Sequence, residues 1–113
     1  MTESFFTRKL LKALRSHPAL LDAVIWKHND ASTGGIPDFS VSIGKITMWG
    51  EVKRYPNKPT KLQWNSIGRL GSGCLLITDH RNGLIGLWQP TKAAATFNFD
   101  DLVEEIVRRC VNA

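Results

Sequence analysis

Asp38, Glu51 and Lys53 are the residues of this 113-residue chain whose types and spacing best suit chemistry. Two carboxylates and an ammonium on one polar face make a site for a hard divalent cation, and for the phosphate oxygens that such a cation binds. Carboxylates directly opposed across two strands, with Cβ atoms about 4.5–5.5 Å apart, repel unless positive charge lies between them. Lys53 supplies part of that charge and a metal ion would supply the rest.

The element that must position them is a β-hairpin over residues 36–53. Gly44-Lys45 is a Gly-X pair, the signal for a two-residue type II′ turn. With that turn, Ile43 faces Ile46, Val41 faces Met48, Phe39 faces Gly50, and Asp38 comes opposite Glu51. Period-2 alternation sorts Phe39, Val41, Ile43, Ile46, Met48 and Val52 onto one face. Asp38, Ser40, Ser42, Thr47, Glu51 and Lys53 share the other, with Trp49 as its one large apolar residue. A slip of one residue would put Phe39 among the charges, so the pattern itself pins the register.

Around the hairpin, the spacing predicts a helix over 3–16, with Thr2 as cap and His17-Pro18 as stop. A short turn over 19–22 follows, then a strand over 23–28 and a polar loop from Asn29 to Gly35. The hairpin strands run over 37–43 and 46–54, and Pro56 and Pro59 break the next segment into a loop. Thr60 caps a second helix over 61–70 that ends at Gly71. The apolar run 73–78 has the character of an interior strand. A turn over 79–83 leads to a strand over 84–89. A last helix over 101–112 opens with Asp101 and Glu104 in capping-box spacing and buries Leu102, Val103, Ile106, Val107 and Cys110. The order αβββαββα describes one α/β domain, residues 1–113, with a central mixed β-sheet flanked by helices.

Two polar residues fall on apolar helix faces. Glu3 lies near the middle of the stripe formed by Phe6, Leu10 and Leu14, where a carboxylate is costly unless it is paired or near a cation. The alternative is a first-turn acid favoured by the helix dipole. Gln63 sits among Leu62, Ser66, Ile67 and Leu70, where it either ties a backbone group or reaches the hairpin acids.

Hydrophobic content of 42% and charged content of 22% indicate a globular protein rather than a disordered chain. No stretch approaches the roughly 20 apolar residues of a membrane span, and the first residues lack a secretory pattern. Cys74 and Cys110 lack CxxC spacing and read as buried free thiols in a reducing, cytoplasmic setting. Net charge is +5 and the pI about 9.6. The positive charge clusters: Lys53, Arg54, Lys58 and Lys61 follow the acidic pair, and Arg8, Lys9, Lys12 and Arg15 line one helix face. Such patches suit a polyanion gripped through its phosphates, although the helix face also fits simple solvation. His28-Asn29-Asp30 lacks the second histidine pair of an HNH site, and His80 and Arg81 fall in a turn. No Gly-rich phosphate loop, serine nucleophile elbow or zinc cluster is present.

Gly35-Ile36-Pro37-Asp38, twelve intervening residues, then Glu51-Val52-Lys53 and finally Gln63 resemble the PD-(D/E)XK nuclease superfamily. The similarity is greatest to its stand-alone VRR-NUC type, related to Holliday-junction resolvases. The resemblance implies a restriction-endonuclease-like fold and metal-dependent endonuclease hydrolysis of DNA phosphodiesters. Asp38 and Glu51 would ligate Mg²⁺, for which Mn²⁺ substitutes, helped by the main-chain carbonyl of Val52. Lys53 would deprotonate or position water, or act as a fixed cation on the developing charge. Glu3 matches an accessory acidic residue of the family's first helix, and Gln63 a glutamine that orients the site. Arg54, Lys58, Lys61, Arg8 and Lys12 are then the residues expected to grip DNA. With no inserted recognition element in the sequence, the expected substrate is branched or junction DNA rather than a base sequence. The expected assembly is a homodimer, for which Trp49, Trp64 and Trp88 are apolar surface candidates. A compact layout of this kind would suit a phage or mobile-element gene. The rival reading is a catalytically silent nucleic-acid-binding subunit on the same fold.

Overall fold

In the computed structural model, which describes residues 2–28, 35–80 and 82–113, the hairpin forms in the expected register. Strand β2 (Phe39–Ile43) pairs antiparallel with β3 (Ile46–Arg54), from Ile43 opposite Ile46 to Phe39 opposite Gly50. Gly44 has φ +59° while Lys45 keeps negative φ, as a type II′ turn requires. Gly50 is needed at its position: a Cβ there would come within 2.2 Å of the Phe39 ring. Ile43 is half-buried and Ile46 is 46% exposed, because the core cluster of that face ends at Val41 and Met48.

The sheet has six strands in chain order. Strand β1 (Val24–Lys27) is antiparallel to β2, and β4 (Cys74–Asp79) is parallel to β3. Then β5 (Ile85–Gln89) and β6 (Lys92–Phe97) continue antiparallel. Strand β6 corrects the expected order to αβββαβββα. Its Lys-Ala-Ala-Ala-Thr-Phe sequence carries no apolar alternation, and Ala is a poor strand former. The strand exists because it pairs with β5, from Phe97 opposite Ile85 to Lys92 opposite Gln89.

Helix α1 (Glu3–Ser16) and helix α3 (Phe99–Val111) cover one sheet face. Phe6, Leu10, Leu11 and Leu14 meet Phe39, Val41, Met48 and Val52 there, with Leu102 and Ile106 from α3. Each such apolar side chain contributes about 1.5–3 kcal/mol when fully buried. Thr2 caps α1 by accepting from the Phe5 N–H at 3.1 Å. Helix α3 starts earlier than expected. Asn98, not Asp101, is its cap and accepts from the Asp101 N–H at 2.8 Å. Phe99 is thereby brought edge-on to Phe6, with centroids 6.1 Å apart.

Helix α2 (Lys61–Leu70) lies over the opposite, polar face of the hairpin. It buries only Ile67 fully, so it lies on the sheet without forming a second large core. Of the polar loop expected from Asn29 to Gly35, residues 29–34 lie outside the described residues, as does Arg81. Cys74 and Cys110 are buried free thiols, as expected. Burial and the nearby Glu51 push the Cys74 thiol up to about 12, and burial pushes Cys110 to about 11. Among the described residues no helix is long and apolar enough to cross a membrane.

Candidate metal centre

The site follows from a difference in strand length. The ladder between β2 and β3 stops at Phe39 opposite Gly50, but β3 runs on to Arg54. In a strand, the N–H and C=O of one residue point to the same neighbour, and alternate residues point to alternate neighbours. Gly50 faces β2, so Val52 and Arg54 direct their main-chain groups to that side as well, where no strand remains to receive them. Two carboxylates take the freed donors. The Val52 N–H donates to Asp38 Oδ2 at 2.7 Å, and the Arg54 N–H donates to Glu3 Oε2 at 3.1 Å. The Val52 carbonyl points into the gap between them.

Glu51 projects onto the α2 face and is only 2% exposed. Its carboxyl lies close enough to that of Asp38 for the two to influence one another. Burial first, and the Asp38 charge second, push its pKa up to about 8, with Lys53 acting in the opposite direction. Lys53 Nζ stands 3.9 Å from Glu51 Oε2, with its side chain 14% exposed.

Gln63 reconciles the two expectations held for it. Its Oε1 accepts from the Thr60 N–H at 2.8 Å while Thr60 Oγ1 accepts from the Gln63 N–H at 3.2 Å, closing a capping box. Its Nε2 donates to Glu51 Oε2 at 3.3 Å. One amide therefore starts α2 and ties that helix to the buried acid. Glu3 likewise combines both of its readings. It lies in the first turn of α1 and reaches the β3 edge, where Asn57 Nδ2 also approaches its Oε2 at 3.5 Å.

Asp38, Glu51, Lys53, Gln63, Glu3 and the Val52 carbonyl thus converge at the carboxyl end of β3. The basic residues disperse more. Arg54 Nη1 is paired with Asp79 Oδ2 at 3.0 Å. Lys58 and Lys61 are exposed just beyond, and Arg8 and Lys12 are exposed along α1. Lys9 sits over the Phe99 ring at 4.2 Å, and Arg15 Nη2 donates to the Ile25 carbonyl at 3.0 Å. The expected basic face of α1 is therefore partly structural. Trp64 is 44% exposed and meets Trp88 edge-on at 5.9 Å. Trp49 is half-buried, its ring centroid 5.2 Å from that of His28.

Four supporting residues were not anticipated. Asn57 backs Glu3, and Asp79 holds Arg54. His28 donates its N–H to the Asp38 carbonyl at 2.8 Å, and its Nε2 lies 2.9 Å from Oγ of the buried Ser40. Ser40 lay on the polar face of the expected hairpin, but nothing in its letter marks burial.

The donor set fits Mg²⁺ or Mn²⁺. It is all oxygen, with two neighbouring carboxylates and a strand carbonyl that the β2 ladder does not reach. A buried acid carrying a strongly raised pKa next to a second carboxylate indicates a deficit of positive charge. Among the described residues no three or more His, Cys, Asp and Glu side chains gather as a cage. The fit therefore rests on the two carboxylates and the strand carbonyl alone; Mg²⁺ keeps several waters and takes one or two protein carboxylates.

No family profile and no curated protein matches the chain. Solved structures do. One is the 1.6 Å structure of Hjc, a Holliday junction resolvase from the archaeal hyperthermophile Archaeoglobus fulgidus, with a TM-score of 0.60 and 14% identity. The match covers 92% of this chain and 98% of that one. The likeness extends over nearly the whole chain and shows the fold: a mixed α/β domain built on the same plan as that protein, the restriction-endonuclease-like fold.

Proposed function

We propose that this chain, as one domain over residues 1–113, is a metal-dependent endonuclease that hydrolyses DNA phosphodiester bonds at branched or junction structures. The observation that carries the reading is the placement of Asp38, Glu51 and the Val52 carbonyl around the unpaired end of β3. The fold it shares with a protein described as a Holliday junction resolvase supports the same reading and favours branched DNA as substrate.

Asp38 and Glu51 would hold Mg²⁺ or Mn²⁺ together with the Val52 carbonyl. A cation held there would polarise a phosphate oxygen and ease loss of a proton from water. The protein side of the chemistry belongs to the residues around it. Val52 N–H fixes one Asp38 oxygen, and among the described residues no donor takes the other. Gln63 fixes one Glu51 oxygen and so orients the acid that faces Asp38. Lys53, close to Glu51 and largely shielded from water, holds positive charge where a phosphorane gains negative charge. Glu3 closes the β3 edge and adds negative charge one strand repeat from Asp38, about 6–7 Å along the backbone. Lys58 and Lys61 extend positive charge outward along the path of a DNA backbone. A twofold pair of such domains would cut two strands symmetrically.

The test is incubation of the full chain with end-labelled four-way junction, flap, duplex and single-stranded DNA in Mg²⁺ or Mn²⁺. Cleavage of branched DNA is expected, with Asp38→Ala abolishing it while DNA binding persists. If Asp38→Ala and Lys53→Ala both cut as well as the unsubstituted protein, the assignment is wrong. Binding without cleavage in either metal would favour a silent DNA-binding subunit.

A further inference from the structure

Beyond Lys53 the chain runs through Arg54 to Tyr55, whose ring stacks on that of His80 with centroids 4.8 Å apart and planes 23° apart. Building on the nuclease reading, we propose that this stack is a platform for an unpaired nucleobase of the DNA strand being cut, two or three nucleotides from the scissile phosphate.

Both rings stand on fixed backbone. The Tyr55 N–H donates to the Asp79 carbonyl at 2.9 Å, and the His80 N–H donates to the Leu84 carbonyl at 3.0 Å. The stack also lies on the same sheet face as Lys53. Lys53 is in register with Thr78, and Thr78 with Gly86. A Cβ on Gly86 would point onto that face, 3.7 Å from both the Thr78 Cβ and His80 Nε2. Gly86 therefore lies beneath the imidazole and leaves it room.

The outer ring is available. Tyr55 is 54% exposed, and with Pro56, His80 and Asn82 it borders an open cavity of about 380 Å³. Tyr55 packs on His80 yet keeps about half of its surface open to solvent. It has the flat π-face and low side-chain entropy that base stacking uses.

Spacing and charge favour a nucleobase over other flat ligands. Gly86 lies two strands from Lys53, roughly 10 Å at the usual strand separation. A stacked strand rises about 3.4 Å per nucleotide and an extended unpaired one nearly twice that, so a strand whose phosphate lies at Lys53 brings its second or third base to the stack. Exposed Lys58 lies close by in the chain, whereas Arg54 pairs with Asp79 on the opposite face of the sheet. In a closed duplex both faces of each base are covered by neighbours. The ring face can engage only a base freed at a branch, flap or frayed end. Preference for branched DNA then arises without any base-specific contact.

The experiment places 2-aminopurine, in separate DNAs, two and three nucleotides from the expected cut, in a flap and in a fully paired duplex. Both DNAs are titrated with the full chain in metal-free buffer, so that nothing is cleaved. The expected result is fluorescence quenching in the flap for the unsubstituted protein and for Tyr55→Phe. Tyr55→Ala should abolish the quench and weaken flap binding about tenfold or more, leaving duplex binding within about twofold. Thermal melts of both variants check the fold, which the exposure of Tyr55 protects. Absence of quenching with the unsubstituted protein overturns the proposal, and so does equal weakening of flap and duplex by Tyr55→Ala. Because binding is read without metal, quenching that persists in a protein unable to cut any DNA upholds the platform and removes only the nuclease reading. Cleavage without quenching removes only the platform.

Discussion

The two ends of β3 and β4 both enclose charge, and they treat it in opposite ways. At the amino ends lies Arg109, 8% exposed. Its Nε donates to Glu105 at 2.7 Å and its Nη1 to Gln89 at 3.2 Å, while Gln89 in turn donates to the Ser72 carbonyl. Arg108 also binds Glu105, and together the two guanidiniums hold that carboxyl below its ordinary range. Both guanidiniums there share one carboxylate. At the carboxyl ends, Glu51 is more deeply buried yet faces Asp38, with a single lysine 3.9 Å away. The first arrangement completes a structure. The second keeps a charge requirement that a cation and a phosphate can meet, at the strand ends where open α/β sheets place their ligands.

The largest expected effect separates the two ends by activity. Asp38→Ala and Glu51→Gln should each lower the cleavage rate by about a thousandfold or more, whereas Arg109→Met should leave the rate per folded molecule unchanged. Single-turnover cleavage of a labelled junction measures this, and a comparable loss in Arg109→Met would break the contrast.

Stability should follow the reverse order. Removing Arg109 leaves the buried Gln89 amide without its partner and Glu105 with Arg108 alone, and Arg109→Ala should cost about 2 kcal/mol. Glu51→Gln should leave the metal-free protein at least as stable as before. Urea unfolding of both variants in chelator decides the point.

A pH series sharpens the comparison. In the metal-free fold Glu51 binds its proton up to about 8, but in the unfolded chain it releases it near 4.5. The native state therefore carries more protons between those values, and stability should fall as pH rises through that window. Mg²⁺ should accordingly raise the melting temperature more at pH 8 than at pH 5. A metal-induced shift that survives in Asp38→Ala would place the cation elsewhere.

The smallest effect is electrostatic. Lys58→Gln with Lys61→Gln should weaken DNA binding several-fold at low salt and reduce the slope of log K against log salt by about 1–2. Fluorescence anisotropy across a salt series reports it.

The hairpin and its acids were legible because alternation and a Gly-X turn are local signals that constrain register. Helices over 3–16 and 61–70 were legible through their caps. Strand β6 was not, since Lys92–Phe97 forms a strand only through pairing with β5. The start of α3 was missed because Asp101 and Glu104 mimic a capping box while Asn98 holds the helix three residues earlier. In the candidate site, Asp38, Glu51, Lys53, Gln63 and Glu3 were identifiable from type and spacing. The burial of Glu51 and Ser40, and the roles of Asn57 and Asp79, depend on tertiary packing that no local pattern encodes.

The overhang of β3 beyond β2 has a consequence for how this chain tolerates insertions and deletions. Its geometry is counted in residues from the ladder outward, so the tip at Gly44-Lys45 can be lengthened without disturbing the acids. One residue added between Phe39 and Ile43 would instead turn Asp38 away from the Val52 amide and strand it on the apolar side. Length variation among descendants of this sequence should therefore gather at the tip and avoid the strand beside it.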